Sequence, residues 1–215
     1  MAQPIPQPLF TEEDYLAFER EADERNEYID GIVYAMAGES PEHGAISMNL
    51  SRLIGNHIVG TRCQGFIKDT QVRSGPLPRH PRQTKGLFSY PDLVVVCGPL
   101  QQLDEYRDVL INPSIIFEVL SDSTEKKDRV TKFQRYKKYL PSLLVYVLVS
   151  QDQPLIEVFH RDFAESETWQ YSFADELPAT IRIPVIDCTL HLAEVYDRVT
   201  FAAPPEALDD NESQA

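Results

Sequence analysis

The chain has 215 residues, of which 42% are hydrophobic and 25% charged, a composition typical of a globular protein that buries a core. No apolar run approaches the roughly 18 residues of a membrane span, and residues 1–9 lack the pattern of a secretory signal. The formal net charge of −14 disfavours a nucleic-acid partner, but residues 43–149 carry 15 basic and 9 acidic side chains, a net of +6.

The first half of the chain is predicted to contain two helices, a hairpin and a strand. Thr11 precedes three acidic residues, the pattern of a helix N-cap with negative charge at the positive end of the helix dipole. The pair Asp30-Gly31 lies between apolar runs and is a strong hairpin signal. The predicted elements are a helix over 11–24, a hairpin over 27–36, a helix over 41–59, a strand over 63–72 and an irregular basic loop over 73–89.

The second half is predicted to be rich in strands. Two runs, 92–97 and 114–120, are almost continuously apolar, which indicates strands that are covered on both faces. The other predicted elements are a helix over 127–139, strands over 143–149 and 155–160, a weaker strand over 168–173 and a short helix over 191–195. Together the elements predict an α/β fold with a mixed β-sheet flanked by helices.

The chain ends and the cysteines complete the expected organisation. Residues 1–9 contain three prolines and are expected to be an extended leader, and 201–215 have the composition of a disordered acidic tail, which leaves 10–200 as one domain. The chain has an odd number of cysteines, and their spacing is not that of a metal site. They are Cys63, Cys97 and Cys188. We therefore expect no disulfide framework and no zinc site, in keeping with a cytoplasmic protein.

Two carboxylates, Asp92 and Glu118, lie in the two apolar strands. A buried ionised carboxylate costs several kcal/mol unless it is paired or binds a metal. If the strands form an antiparallel hairpin symmetric about Glu105, Asp92 faces Glu118 with Cβ atoms about 5 Å apart. Carboxylates that close repel each other, and a divalent cation is a common way to keep both ionised. Oxygen ligands favour Mg²⁺ or Mn²⁺ over zinc.

A structural explanation of the two carboxylates stays open. Asp92 would then cap the start of its strand, and Glu118 would pair with a nearby arginine or lysine. The two explanations differ in whether the carboxylates share one cation or have separate partners.

Three motifs follow one another from the middle of the chain. They are Pro91-Asp92 before an apolar strand, Ile-Ile-Phe-Glu118-Val-Leu-Ser121 in the next apolar strand, and Asp128-x3-Lys132-x3-Tyr136 in the predicted helix. This series resembles the Uma2 family of restriction-endonuclease-like proteins, which is placed in the PD-(D/E)XK nuclease superfamily. The resemblance extends over about residues 10–200, and it includes the hairpin that follows Glu27 and the helix start near His43.

The resemblance implies a restriction-endonuclease-like fold with Asp92 and Glu118 as ligands of Mg²⁺ or Mn²⁺. The superfamily pattern places a lysine two residues after the glutamate, but this chain has Leu120 there. Some relatives supply the lysine from the following helix, where Lys132 is the matching residue. A lysine would orient the attacking water or stabilise charge on the phosphate. The alternative for Lys132 is an i,i+4 pair with Asp128, worth about 0.2–0.5 kcal/mol.

Further residues are candidates for the same site. Glu27 would approach the metal or its bound water, or else remain a solvated acid. His43 would contact phosphate or water, or else have a structural role near the helix start. Gln71 would line the site. Basic side chains of the irregular loop would contact a phosphate backbone, unless they are simply solvated. These loop residues are Arg73, Arg79, Arg82 and Lys85.

Two functions are compatible with these residues. The first is a cytoplasmic, divalent-metal-dependent endonuclease that hydrolyses DNA phosphodiester bonds through Asp92, Glu118 and Lys132, and a homodimer would suit cleavage of both strands. The alternative is a non-catalytic binding or interaction module that retains the nuclease fold. The missing lysine after Glu118 and the negative net charge favour this alternative, although acidic ends also serve solubility.

Overall fold

The computed structural model describes residues 9–36, 38–80, 82–121, 124–164 and 166–201. Apart from Leu9 and Phe201, the predicted leader and the predicted acidic tail lie outside these residues. The helices are α1 (Glu12–Glu19), α2 (Pro41–Ile58), α3 (Phe133–Tyr139) and α4 (Leu192–Val195), with a π-helical segment at Lys127–Lys132 and a 3₁₀ turn at Pro184–Ile186. Within the described part of the chain, no helix is long and apolar enough to cross a membrane.

A six-stranded mixed sheet forms the centre of the molecule. Its strands are β3 (Cys63–Ile67), β6 (Leu93–Cys97), β8 (Ile115–Leu120), β9 (Val145–Ser150), β10 (Ile156–His160) and β11 (Gln170–Ala174). Their order across the sheet is β11-β10-β9-β8-β6-β3. The pair β8–β9 is parallel and is connected through the π-helical segment and α3, whereas the other neighbours are antiparallel.

Two smaller sheets complete the fold. The first contains β1 (Asn26–Ile29), β2 (Ile32–Ala35), β4 (Gln71–Ser74), β5 (Leu87–Ser89) and β7 (Val109–Leu110), in the order β2-β1-β5-β4-β7. The second is the hairpin of β12 (Thr180–Ile183) and β13 (Cys188–His191). The predicted β1–β2 hairpin is confirmed, since Asp30 (φ 50°) and Gly31 (φ 95°) both occupy the left-handed region that a tight hairpin turn needs.

The six-stranded sheet is covered on both faces, as its continuous apolar runs predict. Ile46, Leu50 and Ile54 of α2 are fully buried on one face. On the other face Phe133 stacks on Tyr146, with ring centroids 5.0 Å apart. The strands that carry the candidate site are therefore held between two helical layers, which fixes their register.

Helix α1 begins where the sequence predicts but ends at Glu19 rather than near Glu24. The Thr11 hydroxyl accepts a hydrogen bond from the Asp14 N–H, and the Asp14 carboxylate accepts one from the Thr11 N–H, which forms a capping box. At the other end the Glu19 carboxylate accepts hydrogen bonds from the backbone and side-chain amides of Asn26. These bonds turn the chain directly into β1, so the helix cannot continue.

The single strand predicted over 63–72 is wrong. A turn after Ile67, whose carbonyl accepts from the Thr70 N–H at 3.3 Å, divides it into β3 and β4, which belong to different sheets. The predicted irregular loop over 73–89 is also corrected, because it begins within β4 and ends in β5. Neither β7 nor the β12–β13 hairpin is predicted. β7 has only two residues and depends on pairing with the distant β4, which leaves no local pattern to detect.

The cysteine expectation is corrected as well, since Cys63 and Cys97 form a disulfide. They are directly paired positions of β3 and β6. A separation of 34 residues along the chain carries no signal of this pairing, which arises only when the two strands align. Among the described cysteines, Cys188 is free and buried.

A thiol count tests the disulfide. After unfolding without reductant, the protein is expected to present one reactive thiol per chain, that of Cys188, and three after complete reduction. Reduction is also expected to lower the unfolding free energy by about 2–4 kcal/mol, because the cross-link restricts the unfolded chain. Three reactive thiols before reduction would show that the cysteines are unpaired.

Candidate active site

The two predicted metal ligands lie at one end of the β6–β8 pair, Glu118 within β8 and Asp92 in the bend just before β6. β6 and β8 pair antiparallel with Leu93 opposite Phe117, which confirms the predicted register. One further step along this register places Asp92 opposite Glu118. Glu118 lies on the face that carries α3, and the Asp92 side chain lies against the backbone of β8.

Asp92 is fixed by the backbone of the neighbouring strand. Its Oδ2 atom accepts a hydrogen bond of 2.7 Å from the Val119 N–H, and its Oδ1 atom lies 3.4 Å from His43 Nε2. One oxygen therefore satisfies a backbone group, as the structural alternative expects, while the other faces an ionisable side chain.

Glu118 is buried, with 3% of its surface exposed. Its Oε1 atom accepts hydrogen bonds from Lys132 Nζ and from the Tyr136 hydroxyl, each at 3.2 Å. Burial raises the pKa of Glu118 well above its ordinary value, and the charges of Asp128 and Asp92 raise it further, against the lowering effect of the Lys132 ammonium. A second positive charge would therefore strongly favour the ionised form.

Lys132 is the cation at the centre of this cluster. Its Nζ atom lies 2.9 Å from Asp128 Oδ1, 3.0 Å from Glu27 Oε1 and 3.2 Å from Glu118 Oε1. Burial alone would lower the pKa of Lys132, but the carboxylates outweigh it and raise the pKa well above its ordinary value. The pair with Asp128 that the sequence offers as an alternative is therefore present together with the contact to Glu118.

A π-helical segment, Lys127–Lys132, carries both Lys132 and Asp128 into the cluster. Both residues are buried, although both are charged. The Asp128 carbonyl accepts from the Phe133 N–H, the i→i+5 bond of π geometry, and also from the Tyr146 hydroxyl at 3.0 Å. The sequence predicts a helix here but gives no indication of its π geometry.

Glu27 comes to the cluster from β1 of the five-stranded sheet. It is 5% exposed, so the prediction of a solvated acid is wrong. Burial raises the pKa of Glu27, but Lys132 and Lys127 outweigh it, and the pKa is lowered from its ordinary value. Glu27 forms ion pairs with both lysines. It therefore holds Lys132 from the side opposite the central sheet.

His43 stands in the first turn of α2, beside Asp92. Its backbone N–H donates to the hydroxyl of Ser40, the N-cap residue, at 3.1 Å. Its Nδ1 atom lies 2.8 Å from Glu39 Oε2, and its Nε2 atom faces Asp92. Burial lowers the pKa of His43, but the Asp92 carboxylate outweighs it and the pKa is raised. Lys68 forms an ion pair with the same Glu39 oxygen.

Two other candidates lie elsewhere. Gln71 is buried against α1, where its amide donates to the Tyr15 hydroxyl at 2.6 Å, so it does not line the cluster. Arg73 is buried and forms two hydrogen bonds of 2.8 Å with the Glu12 carboxylate, so its predicted phosphate contact is wrong. Arg79, Arg82 and Lys85 are exposed.

Three residues of the site were not assigned from the sequence. Asp128 and Tyr136 belong to the quoted helix motif, and their spacing of four residues on either side of Lys132 is the signal that indicates a shared face. Glu39 is also four residues from its partner His43, but it lies before the N-cap of α2, so a helical spacing does not indicate this contact.

The six-stranded mixed sheet with helices on both faces has the restriction-endonuclease-like fold. A crystal structure of a protein from Anabaena variabilis ATCC 29413, described as "a putative nuclease belonging to DUF820", matches it with a TM-score of 0.67. The match covers 87% of this chain and 97% of the other at 16% sequence identity, so it shows the fold alone.

The chain belongs to the Uma2 family, whose model, described as "Putative restriction endonuclease", matches residues 12–193. Two uncharacterized proteins of Synechocystis sp. PCC 6803 are similar to it. The protein slr1290 is 34% identical over 157 residues, which cover 73% of this chain and 77% of the relative. The protein sll1609 is 32% identical over 143 residues, which cover 66% of this chain and 76% of the relative. The resemblance predicted from the motifs is confirmed.

Proposed function

We propose that this protein is a divalent-metal-dependent endonuclease that hydrolyses phosphodiester bonds of DNA. The observation that carries the proposal is the register of β6 and β8, which, continued by one residue, sets Asp92 opposite Glu118. The Lys132 ammonium lies 3.2 Å from Glu118. Membership of the Uma2 family and the restriction-endonuclease-like fold support the proposal.

The two carboxylates fit a divalent cation. Asp92 and Glu118 offer carboxylate oxygens, the ligands that Mg²⁺ and Mn²⁺ prefer. Burial raises the pKa of Glu118, and the neighbouring carboxylates raise it further, so a cation between the two acids would favour the ionised form. We therefore assign Asp92 and Glu118 as ligands of Mg²⁺ or Mn²⁺.

A divalent cation bound there would supply a Lewis acid and lower the pKa of a coordinated water. The contribution of the chain itself is the placement of Lys132. Glu27 and Asp128 hold its ammonium in one position, so no flexible side chain has to be ordered when the substrate arrives. From there the ammonium would orient the attacking water or stabilise the negative charge that develops on the phosphate.

Exposed basic residues offer DNA a second kind of contact. Arg79 and Arg82 are exposed in the segment between β4 and β5, and Lys85 in the same segment lies 3.4 Å from Asp30. Such side chains position a nucleic-acid backbone without reading its sequence. We assign them to phosphate contacts, and a homodimer would allow both strands of a duplex to be cut.

A non-catalytic module with the nuclease fold is the second candidate. The observation that favours it is the closed ion cluster, in which 4% of Lys132 is exposed and the ammonium is already shared by three carboxylates. A purely structural role is sufficient to explain such a cluster, because it holds β1, β8 and the π-helical segment together.

A metal titration separates these candidates. Mg²⁺ or Mn²⁺ at about 100 times the dissociation constant is expected to stabilise the wild-type protein by about 2.7 kcal/mol, seen as a rise in melting temperature. The variant Asp92→Asn is expected to show no such rise, because it lacks one carboxylate ligand, and to cut supercoiled plasmid at no measurable rate.

The matched control is Asp69→Asn, whose side chain is 79% exposed on the turn after β3. It should keep both the metal response and the cleavage rate. Cleavage by Asp92→Asn at the wild-type rate would disprove the ligand assignment. A melting response in the wild type without cleavage of plasmid, linear duplex or single-stranded DNA would favour the non-catalytic module.

A further inference from the structure

We propose that His43 is an additional ligand of the ion at Asp92, that Glu39 orients its imidazole, and that the site therefore prefers a transition metal such as Mn²⁺ to Mg²⁺. The inference rests on the proposed function for the presence of an ion at Asp92 and Glu118. It adds a nitrogen ligand and a positioning carboxylate that the nuclease motif does not include.

The distances between the three side chains fit this arrangement. One ligand atom each of Glu39, His43 and Asp92 lies within 4.8 Å of the other two. His43 Nε2 and Asp92 Oδ1 are 3.4 Å apart. Two ligands that bind one ion at about 2.0–2.2 Å lie roughly 3.0–3.6 Å from each other, so this pair has the spacing of neighbouring ligands.

The opposite nitrogen of the ring is already held. Nδ1 lies 2.8 Å from Glu39 Oε2, the distance of a hydrogen bond in which Nδ1–H donates to the carboxylate. In the neutral tautomer that makes this bond, Nε2 carries the lone pair and directs it toward Asp92. A carboxylate, a histidine and a metal in this order are a recurrent arrangement, in which the carboxylate fixes the ring and makes it a stronger ligand.

The chain backbone also fixes the position of His43. Ser40 caps α2 and accepts the His43 N–H, and the side chain of His43 is 13% exposed. Asp92 is held in turn by the Val119 N–H. Both ligands are thus set before any ion binds, which lowers the cost of assembling the site.

The type of ligand decides the type of metal. Mg²⁺ prefers oxygen ligands and keeps much of its bound water. Imidazole binds Mn²⁺ less strongly than it binds Zn²⁺ or Co²⁺, but it binds Mn²⁺ far more strongly than Mg²⁺. A site with one imidazole and two carboxylates should therefore favour Mn²⁺ over Mg²⁺. Loss of the imidazole should remove most of that preference.

The test compares Mn²⁺ and Mg²⁺ binding by calorimetry in the wild type, His43→Asn and Glu39→Gln, and examines the Mn²⁺ complexes by pulsed electron paramagnetic resonance. We expect the wild type to show coupling of Mn²⁺ to a ring nitrogen, and His43→Asn to lose it. His43→Asn should bind Mn²⁺ at least about 10-fold more weakly, with a change under about 3-fold for Mg²⁺. Glu39→Gln should retain the coupling and weaken Mn²⁺ binding about 10-fold.

The control is His57→Asn, which removes the other histidine of α2. His57 Nε2 lies 2.8 Å from the Ile186 carbonyl, away from Asp92, so this variant should bind both ions as the wild type does. An equal loss of both ions in His43→Asn would show a structural role only. Absence of nitrogen coupling in the wild type would overturn the proposal even if DNA is cut. Nitrogen coupling without any cleavage would instead support this site and contradict the nuclease function.

Discussion

Replacement of Lys132 with methionine is expected to lower the free energy of unfolding by about 3–5 kcal/mol. Methionine fills much of the volume of the lysine stem, but Glu27, Glu118 and Asp128 lose the ammonium that lies within 3.2 Å of each of them. Lys127 still pairs with Glu27 and the Tyr136 hydroxyl still donates to Glu118, but buried carboxylates that lose this ammonium either stay charged at high cost or must bind protons. Urea unfolding followed by circular dichroism at neutral pH measures the loss.

The pH dependence gives this prediction a sign. The pKa of Glu27 is lowered in the folded protein, because Lys132 and Lys127 outweigh the effect of burial. Its contribution is therefore present above the ordinary carboxylate pKa and is lost as the pH falls through the lowered value. The deficit of Lys132→Met should consequently be largest at neutral pH and shrink in acid.

The matched control for that variant is Lys138→Met, at an exposed position of α3, the helix that directly continues the π-helical segment. It should change the unfolding free energy by less than about 0.5 kcal/mol. If Lys132→Met unfolds at the same urea concentration as the wild type, the three carboxylates do not depend on the ammonium, and the cluster described around it is not stabilising.

The parts of the site that follow from local patterns could be predicted from the sequence. Apolar runs on both sides of a single carboxylate identify β6 and β8, and the assumption of a symmetric pairing places Asp92 opposite Glu118. The four-residue spacing of Asp128 and Lys132 places them on one face of a helix. Their role follows from the burial of charged residues, which needs an explanation wherever it occurs.

Long-range placement explains what could not be predicted. Glu27 belongs to an acidic segment, and only the pairing of β1 with β5 in a second sheet turns it toward Lys132. The basic composition of the segment after β4 indicates exposure, yet Arg73 is buried because Glu12 of α1 neutralises it. In both cases the partner is more than 60 residues away along the chain, so a local sequence pattern does not indicate the contact.

The two larger sheets contribute different residues to the site. The six-stranded sheet carries Asp92 and Glu118, and the smaller sheet supplies Glu27. Lys132 bridges them from the π-helical segment between β8 and β9. The same lysine is therefore both a structural link and the proposed catalytic cation, and a variant that separates these roles must alter a carboxylate rather than the lysine.

Glu118→Gln is that variant, and it is expected to lower DNA cleavage at least about 100-fold while the protein remains folded. The glutamine oxygen can still accept from Lys132 and from the Tyr136 hydroxyl, and Lys132 keeps Glu27 and Asp128 as partners. Burial disfavours the ionised form of Glu118, and the variant replaces this carboxylate with a neutral amide. The unfolding free energy should therefore change by less than about 1 kcal/mol. Plasmid nicking in Mg²⁺ and in Mn²⁺ measures the first effect, and urea unfolding the second.

Glu125→Gln is the matched control. Glu125 lies just before the π-helical segment, and within the described chain its ion pair is with Arg129. It removes one negative charge close to the site without touching Lys132, so cleavage should persist. If Glu118→Gln cuts as fast as the wild type, Glu118 is a partner of Lys132 and not a metal ligand. If it loses cleavage and also unfolds readily, the carboxylate is required for the fold, and the metal response of the folded fraction then decides whether it is a ligand as well.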